Sequence, residues 1–149
     1  MIEARIGGDG LTAPYLSASD PIDQVAMIDR WLVDHDLMYL EIKRDDPRSW
    51  FDYLSSARRR VFMRVGVVGD RAAAEYVRGG LECADPVVCA TFNVAPPSDD
   101  PQVPYGYGRH FPSDTVVPLA EVRQLMIDFV TTGEWSHAVP WREHEHLVA

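Results

Sequence analysis

The chain has two cysteines, Cys83 and Cys89, in 149 residues. Two cannot build a disulfide framework, and their spacing is not the C-x-x-C of zinc or redox sites, so reduced thiols are expected. No run approaches the roughly 18 apolar residues that span a bilayer. The opening Met1-Ile2-Glu3-Ala4-Arg5-Ile6-Gly7-Gly8-Asp9 has no apolar core of signal-peptide length. Together these absences predict a cytoplasmic protein with no membrane partner. No G-x-S-x-G elbow raises a serine nucleophile, and Gly106-Tyr107-Gly108 lacks the third glycine and following helix of a dinucleotide fingerprint. Cations are also scarce: 14 Lys and Arg face 23 Asp and Glu, for a formal net charge of -9. Neutralising phosphates takes clustered Lys and Arg, so direct nucleic-acid binding is not expected, whereas basic partners are steered toward such a surface.

Apolar residues make up 46% of the chain and charged residues 25%, the balance of a globular protein rather than a disordered one. The length suits a single domain spanning residues 1–149. Ser19-Asp20-Pro21 is a helix start, with Asp20 placed to accept orphan amides and Pro21 at the first helical position. The helix should run to about Asp34, with Val25, Ile28, Trp31 and Leu32 on one face and Gln24 largely off it. A strand is expected from Leu37 to Ile42, and Ser49–Arg59 fits a short amphipathic helix or a loop.

From Val61 the period changes to two. Met63, Val65 and Val67 share one parity with Val61, and Val68-Gly69-Asp70-Arg71 supplies the turn. Ala72–Val77 returns, and Val87–Val94 forms a third strand, giving an antiparallel meander. Ala95–Pro104 carries four prolines and reads as an exposed loop. A short strand at Thr115-Val116-Val117 follows, then a helix opened by Pro118 with Leu119, Val122, Leu125, Met126 and Phe129 on one stripe and Gly133 as C-cap. A last strand is expected around His137–Trp141. The fold class is α+β: an antiparallel sheet of about five strands with helices packed on one face.

The candidate chemistry is sparse. Cys89 sits in an apolar strand and reads as a small buried hydrophobe. Arg58-Arg59-Arg60 could hold an anion, but three basic residues at the end of an expected helix also complement its dipole and need no ligand, and that reading is preferred. The acidic pairs Asp45-Asp46, Asp99-Asp100 and Glu143/Glu145 read as solvated surface, and His110, His144 and His146 are the histidines a metal site would draw on. No cofactor, metal or catalytic set is assigned. Acidic loop positions beside exposed aromatics are interface material, which selects Tyr105, Tyr107 and Trp135 as anchors next to acids.

An ordered series runs through the chain: Met63-Arg64-Val65-Gly66-Val67-Val68-Gly69-Asp70, Tyr105-Gly106-Tyr107-Gly108, Phe111-Pro112, Val117-Pro118, Phe129-x-x-Thr132-Gly133 and Val139-Pro140-Trp141. It resembles the actinobacterial branch of the first-described immunity family of bacterial polymorphic toxin systems, over roughly residues 61 to 143 with a looser fit of the first helix and strand. After Thr132-Gly133 that family commonly has Arg-Pro, where this chain has Glu134-Trp135-Ser136. The resemblance implies a cytoplasmic antitoxin, not an enzyme, that neutralises a cognate toxin, often a nucleic-acid deaminase, by stoichiometric occlusion. The toxin-facing surface is then expected at Asp99, Asp100, Tyr105, Tyr107, Glu134 and Trp135, on a monomer or weak homodimer. Two other readings stand beside it: a small metal-binding enzyme using the histidines, and a regulatory scaffold with another protein partner.

Overall fold

The first helix begins as its capping chemistry dictates. In the computed structural model, which describes residues 2–7, 16–44, 61–78, 87–106, 108–133, 136 and 138–143, α1 spans Pro21–Asp34. The Asp20 carboxylate accepts from the Ile22 amide at 2.8 Å, a cap of about 0.5–2 kcal/mol. Its buried face is Gln24, Met27, Ile28 and Trp31. Val25 and Leu32 are only half-buried, and the expectation for Gln24 is overturned. The Gln24 side chain turns inward because its Nε2 donates to the Ala18 carbonyl at 3.2 Å, an acceptor no helical wheel shows. The second described helix, α2 (Leu119–Thr132), buries Val122, Leu125, Met126, Phe129 and Val130. It ends on Gly133 in the left-handed region (φ 73°), whose amide donates to the Phe129 carbonyl at 2.8 Å.

The strands are β1 (Ile2–Gly7), β2 (Leu16–Ala18), β3 (Leu37–Arg44), β4 (Val61–Val68), β5 (Arg71–Arg78), β6 (Val87–Thr91), β7 (Pro104–Gly106), β8 (Arg109–His110), β9 (Val117–Pro118) and β10 (Trp141–Glu143). Eight of them form one sheet in the order β10-β6-β5-β4-β3-β1-β2, with β9 on β5, while β7 and β8 form a separate hairpin. Every pairing is antiparallel. The α+β class holds, but the sheet exceeds the expected five strands. The addition at one edge is β1 and β2, where the alternation Ile2, Ala4, Ile6 against Glu3, Arg5 was the available signal.

Three boundaries also differ. β6 stops at Thr91 rather than Val94, because Asn93 turns the chain: its amide donates to the Asp114 carbonyl and its side chain to the Val116 carbonyl. Thr115 closes a 3₁₀ turn, Ser113–Thr115, ahead of the two-residue β9. The last strand begins only at Trp141. Ser49–Arg59 lies outside the described residues.

Both helices pack on one face of the sheet. Met63, Val65 and Val67 of β4, with Ala72, Ala74 and Tyr76 of β5, join Ile28, Trp31, Leu125 and Phe129 in the larger core. The helices are joined by Arg123 Nε and Nη2, which donate to the two Asp29 carboxylate oxygens at 2.7 and 2.9 Å. The opposite face is covered by the chain after β6, through a second core of Ala73, Val103, Tyr105, Phe111 and Val116.

Candidate functional site

The second face of the sheet carries charges within apolar strands. Register places Tyr39 of β3 beside Arg64 of β4, Arg64 beside Glu75 of β5, and Glu75 beside Ala90 of β6. Arg64 is 4% exposed and Glu75 0%, so a basic and an acidic side chain occupy opposed positions of the ladder away from water. The hairpin β7–β8 lies over them. The Tyr105 hydroxyl donates toward the Glu75 carboxylate, 3.0 and 2.9 Å from its two oxygens. Arg64 Nη1 donates to the Tyr105 carbonyl at 3.0 Å, and its guanidinium carbon stands 4.2 Å from the Tyr105 ring centre and 4.7 Å from that of Tyr39. Burial first, then the Glu75 charge, pushes the Tyr105 phenol well above its ordinary value, with Arg64 opposing.

Two glycines make this seat possible. A Cβ on Gly66 would stand 2.0 Å from the Pro104 carbonyl oxygen, so the hairpin crosses β4 where only glycine fits. Gly106 has φ 109° and lies over Arg64, Tyr39 and Leu37.

Upstream, residues 94–100 are mostly exposed, with Val94 at 82%. Asp99 accepts from Arg71 at 2.5 Å, and that bond holds its carboxyl below the ordinary value. Asp100, with φ 44°, is the one non-glycine residue of positive φ among those described. The same end of the sheet gathers further exposed acids. Asp36 lies just before β3, where its carbonyl accepts the Val67 amide, and Asp70 forms the β4–β5 turn, where its carbonyl accepts the Leu119 amide.

Of the six expected interface residues, Asp99 and Asp100 stand exposed on this loop. Tyr105 does not: it is 0% exposed and faces the sheet, because its hydroxyl finds Glu75 and its ring finds Phe111 at 5.0 Å. Tyr107, Glu134 and Trp135 lie outside the described residues, as do His144, His146, Glu145, Asp45, Asp46 and Arg58-Arg59-Arg60. His110 is exposed on β8, and the described residues hold no group of three metal-ligating side chains. No described helix is long and apolar enough to cross a membrane. Sequence reasoning passed over Arg64 and Glu75, although each is the lone charge in the middle of an apolar strand, Val61–Val68 and Ala72–Val77.

The model of the immunity protein family Imm1 matches residues 15–143. The chain belongs to the Imm1 immunity protein family. The match covers α1 and β3, where the resemblance is looser, as well as the chain from β4 on, and it takes in the whole Arg64–Glu75–Tyr105 constellation. No curated protein and no solved structure matches the chain. Family membership assigns an immunity role, whose partner is a protein toxin.

Proposed function

We propose that this Imm1 protein neutralises a toxin acting on nucleic acid, such as a deaminase, by one-to-one occlusion of the toxin's substrate groove. The observation that carries the reading is the family match over residues 15–143. The acidic balance supports the finer step. A groove that holds a polyanion must be basic, and a protein of net charge -9 complements it, speeds encounter and excludes substrate. Exposed Asp36, Asp70, Asp99 and Asp100 at one end of the sheet are the described residues best placed for that contact. Tyr107, Glu134 and Trp135 are proposed as further contacts on the sequence reading alone. Occlusion requires no cofactor and no turnover, so the protein is inert alone; we place it in the cytoplasm, as a monomer or weak homodimer before capture.

The test titrates the C-terminal toxin domain encoded beside this gene with the wild type and with Asp99→Ala/Asp100→Ala/Glu134→Ala, over a range of salt. The triple variant should bind more weakly, with a flatter salt dependence, since rim charges act mainly on association and are screened beyond about 8 Å at physiological ionic strength. Unchanged affinity and slope would place the interface elsewhere.

A further inference from the structure

The second face of the sheet poses a physical question: why an apolar seat holds charge. Ala73, Val103, Phe111 and Val116 already pack there as hydrocarbon does. Taking Arg64 and Glu75 out of water costs several kcal/mol per ion, and well-packed apolar residues of similar volume are commonly as stabilising or more so. Apolar attraction is non-directional, whereas hydrogen bonds weaken steeply as their geometry departs from the ideal. The Tyr105 hydroxyl and Tyr105 carbonyl meet opposite charges on adjacent strands at 2.9–3.0 Å, and a slip of β7 along the sheet breaks both ends together. Gly66 admits the Pro104 carbonyl at one point only.

Resting on the reading that the exposed loop meets a toxin, we infer that Arg64, Glu75 and Tyr105 are positioning residues that fix residues 99–106 and 108–110 in the one conformation in which they are captured. The network acts through what it holds. Tyr105 lies five residues beyond Asp100 in the sequence and four before Arg109, which is exposed on β8. The return of the segment is sealed by the Phe111 amide, which donates to the Val103 carbonyl at 2.9 Å. A loop pinned from below presents its outward groups without an ordering cost on binding, so the gain appears as slower release of the partner.

The experiment compares the wild type, Tyr105→Phe, Glu75→Gln and the surface variant Asp99→Ala/Asp100→Ala, each as the full chain. Hydrogen exchange is followed at the amides of Gly106, Arg109, His110 and Phe111 and, as reference, in α1 and α2; release of the same adjacent-gene toxin domain is timed in parallel. Tyr105→Phe removes the donor that Glu75 receives. It should speed exchange at the four loop amides by about tenfold or more, leave the helices unchanged, and speed release by a similar factor. Glu75→Gln keeps an acceptor oxygen for the Tyr105 hydroxyl but leaves the buried Arg64 cation without the charge opposite it, so it should speed loop exchange and release at least as much as Tyr105→Phe. Loop exchange unchanged in Tyr105→Phe would overturn the inference, as would a loosened loop with unchanged release. If Asp99→Ala/Asp100→Ala alone weakens binding, the interface reading stands and the positioning role falls. If that variant binds as the wild type does, the interface reading fails, and the exchange rates still decide whether the network fixes the segment.

Discussion

The Tyr105 hydroxyl lies 3.0 and 2.9 Å from the two carboxylate oxygens of Glu75, a residue 30 positions earlier in the chain. One bond thus joins the interior strand β5 to the hairpin that covers it. Glu75→Ala strands the Tyr105 hydroxyl and removes the anion opposite Arg64 in the ladder. Breaking a buried charge constellation in this way should cost about 3–5 kcal/mol, read as a lowered urea midpoint. A loss within about 0.5 kcal/mol, the range of ordinary surface changes, would contradict the buried placement.

Gly66→Ala places a methyl 2.0 Å from the Pro104 carbonyl oxygen, and backbone cannot swing aside as a side chain does. Overpacking of this kind costs about 1–3 kcal/mol. The damage should concentrate in β7 and β8, so exchange should rise there before it rises in α2. Wild-type stability in Gly66→Ala would mean that the hairpin does not cross β4 at this point.

Asp29 and Arg123 tie α1 to α2, and the hydrogen bonds from Arg123 hold the Asp29 carboxyl below its ordinary value of 3.8, with burial opposing. A carboxyl depressed in the folded state adds stability above its unfolded value and loses it as pH falls through the folded one. Both side chains are well exposed, at 47% and 40%, so solvent screening keeps the pair to about 0.5–1 kcal/mol. Asp29→Asn should therefore be less stable than the wild type near neutral pH, with the gap closing below 3.8. A gap independent of pH would show that the ion pair contributes nothing.

Cys89 is 3% exposed, and burial, aided by the Glu143 charge, pushes its thiol above the ordinary value. In a Cys83→Ser background, iodoacetamide should modify it only on unfolding, since the thiolate is the reactive form. Rapid labelling of the native protein would mark it as an accessible thiol.

What could be read from the sequence followed the range of the chemistry involved. The Asp20-Pro21 start and the Gly133 stop are settled by bonds within a few residues, and both stand where local chemistry puts them. The Gly69-Asp70 turn likewise sets the β4–β5 register. Tyr105 was misplaced because its fate depends on Glu75 across the sheet, and nothing local separates an aromatic anchor facing solvent from one facing a buried carboxylate. Gln24 failed for the same reason, its partner being the carbonyl of Ala18 ahead of the helix. Family membership was carried by the order of turns, caps and glycines, which are local signals strung along most of the chain.

The most direct measurement is bacterial growth on expression of the C-terminal toxin domain encoded beside this gene, with and without this protein. Rescue should accompany a stable one-to-one complex, and Tyr105→Phe should rescue less well than the wild type at equal abundance. Equal killing with and without the protein, both partners being soluble and present, would contradict the immunity role for that pair.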